Sequence, residues 1–349
     1  MRRISRSLVL LLALGPAAVL AQPSFTKAFG PSTIGPGSAT TLEYTITNAS
    51  GSAVTQLAFT DAFPTGLLIA SPANASSTCT GGGGRDGASP VIDAPEGGST
   101  LAYSGGGIGA SSACVVRVDV TRATPGTVTS TSSVLISTAG TSAAATADLT
   151  VATDRPGFSA SLSPTSVTLN GRSTLTYVLD NTQNLGAAYL GGFTHDLPAG
   201  LTIGSPSNAG TTCDGATVAA AAGSGTVTLT GNSVTPLASG TSCTVSVDVE
   251  GNAIGRLANA SGDLNTAATI FGPPRSSGVA GVALDVLREA LLLTKAFPAT
   301  PVPPGGSVEM TLSLRNLDRN GTATSVAFSD DLEATLPGLV ATGLPVAAC

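Results

Sequence analysis

The stretch that decides the fold is residues 41–47, which read TLEYTIT. Its apolar side chains, Leu42, Tyr44 and Ile46, alternate with threonine and glutamate, so they share one face of an extended strand. Residues 114–120 (CVVRVDV) and 243–249 (CTVSVDV) alternate in the same way. A strand with one buried and one wet face is typical of antiparallel sheets. This alternation predicts sheets that cover a core on one side.

The chain repeats itself with a period near 134 residues. Residues 29–48 match residues 162–181 at a constant offset of 133, and the second of these segments matches residues 297–316 at a further offset of 135. Downstream, FTDAFPTGL (59–67) matches FTHDLPAGL (193–201). A period this long gives each copy enough residues for its own core. We therefore predict whole domains in a row rather than a solenoid.

The predicted organisation has four parts. Residues 1–21 form a signal peptide, 22–153 and 154–287 form two complete repeats, and 288–349 form a third repeat that is truncated. About seven to nine short strands per copy, separated by Gly, Pro and Asn turns, are typical of a two-sheet sandwich. The predicted fold class is all-β, with tandem Ig-like antiparallel β-sandwich domains. Residues 284–293 also fit a short helix, but a last strand followed by a linker fits their position better.

The N-terminus predicts export. Residues 1–7 (MRRISRS) are basic, residues 8–14 (LVLLLAL) are apolar, and the run closes on VLA (19–21), which together are typical of a secretory signal peptide. Three of the 15 basic residues lie in this segment, so its removal shifts the formal net charge from −6 to about −9. An acidic domain repels phosphate backbones, which disfavours nucleic acid as a partner. We expect a secreted or cell-surface location, with no membrane span in the mature segment.

Five cysteines are unusual in an exported chain, where each thiol is expected to have a partner. The repeat register predicts disulfides from Cys79 to Cys114 and from Cys213 to Cys243. Cys349 falls near the place of Cys79 and Cys213 in the third copy, so we predict that truncation leaves it unpaired. Free buried thiols are the alternative. A tetrathiolate metal site is disfavoured because no Cys-x-x-Cys spacing occurs.

No residues suggest catalysis or a resident cofactor. The lone histidine, His195, stands where the other copies have Asp61 and Asp330, so we interpret it as a turn residue at a strand end. No Gly-x-Ser-x-Gly elbow accompanies it. Asp61, Asp330 and Asp331 suggest calcium only weakly, since calcium needs six or more oxygens; a cap on the turn before Pro64 is the favoured role of Asp61. The glycine run 81–87 lacks the Lys-Ser/Thr ending of a phosphate loop.

Three motifs carry a family resemblance: F-x-K-x-F-x-P (25–31), L-x-Y-x-I-x-N (42–48) and F-x-D-x-F-P-x-G-L (59–67). This pattern resembles the "conserved repeat domain" modules of bacterial surface proteins, the eleventh family of domains of unknown function and its relatives. The resemblance covers residues 24–349. It implies Ig-like sandwiches strung into stalks, and it carries no catalytic residues.

Three functions remain open at this point. The leading hypothesis is a non-catalytic stalk or adhesive array, whose partner is an unknown extracellular ligand or the cell envelope. The second is a binding module for glycans or proteins, which is less favoured because aromatic residues make up only 4% of the chain. The third is an accessory spacer of an enzyme whose catalytic domain lies beyond residue 349.

Overall fold

The structure is a computed structural model. It describes residues 21–81, 89–232, 234–288, 291–317, 323–324 and 326–343 of the 349-residue chain. The chain divides into two units between Leu287 and Arg288. Cys349 and the signal segment, apart from its last residue, lie outside the described residues.

The first unit begins with a β-sandwich whose strands are short and separated by turns. They are β1 (Ser24–Gly30), β2 (Thr33–Ile34), β3 (Ala39–Asn48), β4 (Val54–Ala62), β5 (Leu68–Ile69), β6 (Ser76–Ser77), β7 (Thr80–Gly81), β8 (Val91–Asp93), β9 (Thr100–Ile108), β10 (Ser112–Thr121), β11 (Gly126–Thr131), β12 (Leu135–Ser137), β13 (Gly140–Ser142) and β14 (Thr146–Val151). One sheet has the order β1-β3-β10-β5, and a second has the order β13-β12-β4-β9-β7. Strands β11, β14 and β2 form a third sheet.

A second sandwich follows in the same unit. Its strands are β15 (Gly157–Ser163), β16 (Ser166–Thr168), β17 (Arg172–Asp180), β18 (Tyr189–Asp196), β19 (Leu201–Ile203), β20 (Gly210–Thr211), β21 (Thr217–Ala219), β22 (Thr226–Thr230), β23 (Ser242–Gly251), β24 (Gly255–Ala260), β25 (Asn265–Ala267), β26 (Arg275–Ser276) and β27 (Gly281–Leu287). The sheet β15-β17-β23-β19 repeats the order of β1-β3-β10-β5. The predicted fold class, tandem Ig-like antiparallel sandwiches, is confirmed. One short parallel pair in each sandwich, β2 with β14 and β16 with β27, departs from the antiparallel pattern.

The alternating stretch 41–47 places its apolar side chains in the core, as predicted. Leu42, Tyr44 and Ile46 are all fully buried. Tyr44 packs across the sandwich on Phe59, with ring centroids 4.7 Å apart, and the second sandwich repeats this contact between Tyr177 and Phe193 at 4.7 Å. Each sandwich therefore has its own aromatic centre between its two main sheets.

The second unit contains a hairpin and one short helix among its described residues. Strand β28 (Leu291–Ala296) pairs antiparallel with β29 (Thr311–Asn316), and α1 spans Leu332–Thr335. The hairpin has the register of its two counterparts, because Lys295 lies opposite Leu312 as Lys27 lies opposite Tyr44. Residues 284–293 contribute to β27 and to the start of β28, so the stretch weighed as a helix carries strand at both of its described ends.

Candidate functional site

A buried ion pair connects the two main sheets of the first sandwich. Lys27 on β1 contacts Asp61 on β4, and both side chains are 0% exposed. The Lys27 Nζ also donates to Ser130 Oγ at 2.7 Å, and the Tyr44 hydroxyl donates to Asp61 Oδ2 at 2.6 Å. We call Lys27, Tyr44, Asp61 and Ser130 the polar cluster. Its members come from all three sheets of the sandwich, so it forms only when these sheets pack together.

The surroundings of the polar cluster disfavour isolated charge. Burial lowers the pKa of Lys27, and the hydrogen bond and negative charge of Asp61 oppose that effect. Burial raises the pKa of Tyr44, and the charge of Asp61 adds to the increase. A charge without a partner inside a protein is costly. The charge of Lys27 and the charge of Asp61 are therefore each stabilised by the presence of the other.

The second sandwich has a neutral set of side chains at the matching positions. His195 on β18 is fully buried, its Nδ1 lies 2.5 Å from the Tyr177 hydroxyl, and its Nε2 lies 2.8 Å from Asn259 Oδ1. An amide oxygen only accepts, so Nε2 carries the proton and the tyrosine hydroxyl donates to Nδ1. Burial lowers the pKa of His195, while Asn259 and the charge of Asp196 act in the opposite direction.

The correspondence between the two sets extends to the strand positions. Ala160 lies opposite Tyr177 as Lys27 lies opposite Tyr44. Asn259 is the fifth residue of its strand, β24, as Ser130 is of β11. The second sandwich thus differs at both positions of the ion pair: alanine replaces the lysine, and histidine replaces the aspartate.

The second unit has the lysine and the aspartate of the first sandwich at the matching positions. The Lys295 Nζ lies 2.8 Å from one oxygen of Asp330 and 3.0 Å from the other. These side chains are 31% and 29% exposed, so water reaches this pair. Asp331 accepts from the backbone N–H of Ala334 and caps helix α1.

One sequence-based interpretation, that of Asp61, is wrong, and that of His195 is wrong in part. Asp61 does not cap the turn before Pro64, because its carboxylate faces Lys27 and Tyr44 in the core. His195 does lie at the end of β18, as predicted, but it is not a turn residue, because it belongs to the strand and both of its ring nitrogens have hydrogen-bond partners. A proline three residues after Asp61 or His195 suggests that each lies in a loop. In the structure each residue belongs to a strand, which ends one residue later.

Lys27, Ser130 and Asn259 are the members of these sets that the sequence reasoning missed. A signal for Lys27 exists in the three copies. The copies with aspartate, Asp61 and Asp330, have lysine on the first strand, and the copy with His195 has Ala160 there. Paired change of this kind between copies indicates contact in space.

The structure joins Cys79 to Cys114 and Cys213 to Cys243, with Cα–Cα separations of 4.9 Å in both cases. The first bridge joins the start of β10 to the turn after β6, and the second joins the start of β23 to the turn after β20. All four cysteines are buried. Their sequence separations of 35 and 30 residues close loops of moderate length within each sandwich.

Neither a metal-binding group of side chains nor a membrane-spanning helix occurs in the described part of the chain. No group of three or more His, Cys, Asp or Glu side chains within the described ranges could hold a metal ion. Among the same residues, no helix has the length and apolar character needed to cross a bilayer.

The junction between the two sandwiches is made largely by main-chain groups. Ala39 and Val279 exchange two backbone hydrogen bonds of 2.9 Å each, as neighbouring strands do. The Gly35 N–H donates to the Ser277 carbonyl at 3.0 Å. The linker itself is short, since β14 ends at Val151 and β15 begins at Gly157. Main-chain bonds of this kind fix direction as well as distance.

The junction leaves no room for side chains at two glycines. A Cβ on Gly35 would lie 1.8 Å from the carbonyl oxygen of Pro156, and a Cβ on Gly157 would lie 2.1 Å from that of Pro36. Between the same two sandwiches, a guanidinium nitrogen of Arg256 in the second lies 2.5 Å from a carboxylate oxygen of Glu96 in the first. The two sandwiches are therefore closely packed where they meet.

A family model described as "Domain of unknown function (DUF7933)" matches residues 23–151 and again residues 156–280. The chain belongs to this family. The two matched segments cover the first sandwich and all of the second except its last strand, β27, so DUF7933 occurs here as a tandem pair. The sequence resemblance to a repeated domain of unknown function is confirmed at that level, and the assignment to the eleventh family is not confirmed.

No curated protein matches the chain. Among solved structures, the type II cohesin dyad of the adaptor ScaA scaffoldin from Acetivibrio cellulolyticus is 10% identical, with 75% of this chain and 98% of that chain covered and a TM-score of 0.28. The serine-rich repeat adhesion glycoprotein Srr1 of Streptococcus agalactiae is 11% identical (77% and 98% covered, TM-score 0.27), and the collagen adhesin of S. aureus is 9% identical (76% and 94%, TM-score 0.23). At these TM-scores the likeness carries no argument about function.

Proposed function

We propose that the chain is a non-catalytic structural and adhesive repeat region of a secreted or cell-surface bacterial protein, in which the DUF7933 pair acts as a stiff segment of a stalk. The observation that carries the proposal is the junction. Ala39 and Val279 exchange backbone hydrogen bonds across it. At Gly35 and Gly157 the backbones of the two sandwiches approach so closely that a side chain would collide with them. A tether that only had to connect two domains would not need such contacts.

The covalent and chemical features support the same role. Each sandwich carries one disulfide, which suits a chain exposed to an oxidising environment. The signal-peptide pattern at the N-terminus agrees with export. The polar side chains brought together in the cores, including Asp61 and His195, are buried and engaged with each other, so a substrate could not reach them.

The test is the distribution of distances between the two sandwiches. Ketone-bearing residues at Ser52 and Leu185, both exposed, take a spin label without disturbing the disulfides. Pulsed electron resonance should give one narrow distance peak. In Gly35→Val the peak should broaden, because the new side chain collides with Pro156. In the control Gly225→Val, where nothing lies within 4 Å of the added carbon, it should stay narrow. A broad peak in the unmodified chain would contradict a stiff segment.

Ligand binding by the second sandwich is a second candidate, and one loop favours it. Phe271, between β25 and β26, is 91% exposed with a positive φ of 58°, and Ile270 beside it is 43% exposed. An aromatic side chain held out at a loop tip is a suitable contact for a glycan ring or an apolar protein surface. Glycan-array binding that Phe271→Ser abolishes, with folding unchanged, would support this candidate. Equal glycan binding by the unmodified chain and by Phe271→Ser would exclude this loop as the binding site.

A further inference from the structure

We propose that Lys27 and Asp61 condense within the folded first sandwich, so that an amide bond joins their side chains. The proposal goes beyond the stalk function and does not depend on it. Three observations carry it: the amine and the carboxylate are in contact, both are 0% exposed, and two hydroxyl groups engage the same pair. Exclusion of water matters because water is the product of amide formation and favours the reverse reaction.

The first requirement is a neutral amine. A proton that moves from Lys27 Nζ to Asp61 Oδ2 converts the ion pair into an amine and a carboxylic acid. Burial favours this exchange because both charges disappear from an apolar place. The same burial lowers the pKa of Lys27, which acts in that direction. The Nζ atom is then a nucleophile already in contact with the carboxyl group, so the reaction needs no encounter step.

The two hydroxyl groups are arranged for the two oxygens of Asp61. The Tyr44 hydroxyl donates to Oδ2 at 2.6 Å. The Ser130 hydroxyl accepts from Nζ at 2.7 Å and lies 3.4 Å from Oδ1, to which it donates. When Nζ attacks the carboxyl carbon, negative charge develops on Oδ1, which the Ser130 hydroxyl stabilises as a donor, while the Tyr44 hydroxyl holds Oδ2, the oxygen that leaves as water.

The step balances without any further reactant. The ammonium and the carboxylate together form one amide and one water molecule, and no oxidation or reduction occurs. A bond forms between Nζ and the carboxyl carbon, and the bond from that carbon to Oδ2 breaks. Oδ2 leaves as water with two protons from the amine, and Oδ1 remains as the amide oxygen beside Ser130.

The other copies provide internal comparisons. The second sandwich has Ala160 in place of the lysine, so it cannot form this bond. In the second unit, Lys295 and Asp330 are about one-third exposed, and water competes there. The bond is therefore specific to the first sandwich. Because β1 and β4 belong to different sheets, it would tie the two main sheets together covalently.

The test is mass spectrometry of the full exported chain after reduction and alkylation. The next basic residue after Lys27 is Arg85, so trypsin should release residues 28–85 if Lys27 is free. The expected result is instead one peptide that runs through Lys27 to Arg85, uncleaved at Lys27 and lighter by one water. Lys27→Met should abolish the loss of water, whereas Lys295→Met should leave it unchanged.

Two outcomes would overturn the proposal. Cleavage at Lys27 with an unchanged peptide mass would show that the pair is an ion pair only. Loss of water with normal cleavage at Lys27 would indicate a succinimide at Asp61, which forms from the backbone and does not involve the lysine. The peptide from the unmodified chain decides between these outcomes even if Lys27→Met does not fold.

Discussion

His195 Nε2 donates a hydrogen bond to Asn259 Oδ1 across 2.8 Å, inside the core of the second sandwich. The bond places a ring proton on Nε2, and burial, which lowers the pKa of His195, favours the neutral imidazole, whose Nδ1 accepts from Tyr177. A second proton on the ring would face the tyrosine oxygen in a buried place. The chain has only this one histidine, so the effect of protonating it can be assigned.

Acid should destabilise the second sandwich first. Burial depresses the pKa of His195 below its ordinary value of 6.5, so the unfolded state takes up a proton before the folded state does. The stability from the neutral imidazole is complete above pH 6.5 and falls as pH decreases towards the folded pKa, by up to ~1.4 kcal/mol per pH unit. Hydrogen exchange at about pH 7.5 and about pH 5.5 should show larger loss of protection in residues 157–287 than in residues 24–151.

Asn259→Asp should reduce this sensitivity to acid. A carboxylate beside Nε2 favours the charged imidazole, so it raises the folded pKa of His195 and narrows the gap to the unfolded value. The difference in hydrogen exchange between the two pH values should then shrink. A variant as sensitive to acid as the unmodified chain would show that another group controls the effect.

Lys27→Met should destabilise the first sandwich strongly. Whether the pair is ionic or joined by an amide, the variant leaves Asp61 buried without its partner, and loss of one member of a buried pair typically costs about 3–5 kcal/mol or more. The matched control in the same sandwich is Arg117→Met, which breaks a pair with Glu43 whose side chains are 44% and 36% exposed, and should cost about 1 kcal/mol or less. Urea unfolding measures both. The double variant Lys27→Met, Asp61→Leu should recover part of the lost stability, because no charge is then left buried. Equal losses of stability in Lys27→Met, Arg117→Met and the double variant would contradict a buried pair.

Removal of either disulfide should lower the stability of its own sandwich. Loops closed over separations of 35 and 30 residues correspond to roughly 3–4 kcal/mol in the chain-entropy model. Cys213→Ala with Cys243→Ala should therefore lower the melting temperature of the second sandwich more than that of the first. Peptide mapping without reduction checks the pairing itself, and free thiols at Cys79 and Cys114 would disagree with it.

The fold could be predicted from the sequence because its signals are local. Alternation at residues 41–47 determines which side chains share a face, and Leu42, Tyr44 and Ile46 are indeed buried. The constant offset between copies predicts that each sandwich uses the same strands in the same register, as Tyr44 and Tyr177 show. Neither inference requires knowledge of which strands meet across the core.

The polar cluster required more than local signals. Asp61 and His195 each lie three residues before a proline, and residues close to a proline usually lie near a turn. Their actual partners are far away in sequence: Lys27 is 34 residues from Asp61, and Asn259 is 64 residues from His195. Distances of this kind are set by how two sheets stack, for which a single sequence gives only the weak signal of paired change between copies.

The sequence by itself thus determined the strands, the repeat and the cysteine positions, because each depends on neighbours along the chain or on comparison between copies. Only the tertiary structure decided that Lys27 lies against Asp61 and that Ala39 pairs with Val279. Both contacts join residues that are far apart in sequence, one between two sheets and one between two sandwiches. Their physical basis is the exclusion of water from polar groups that then have only each other as partners.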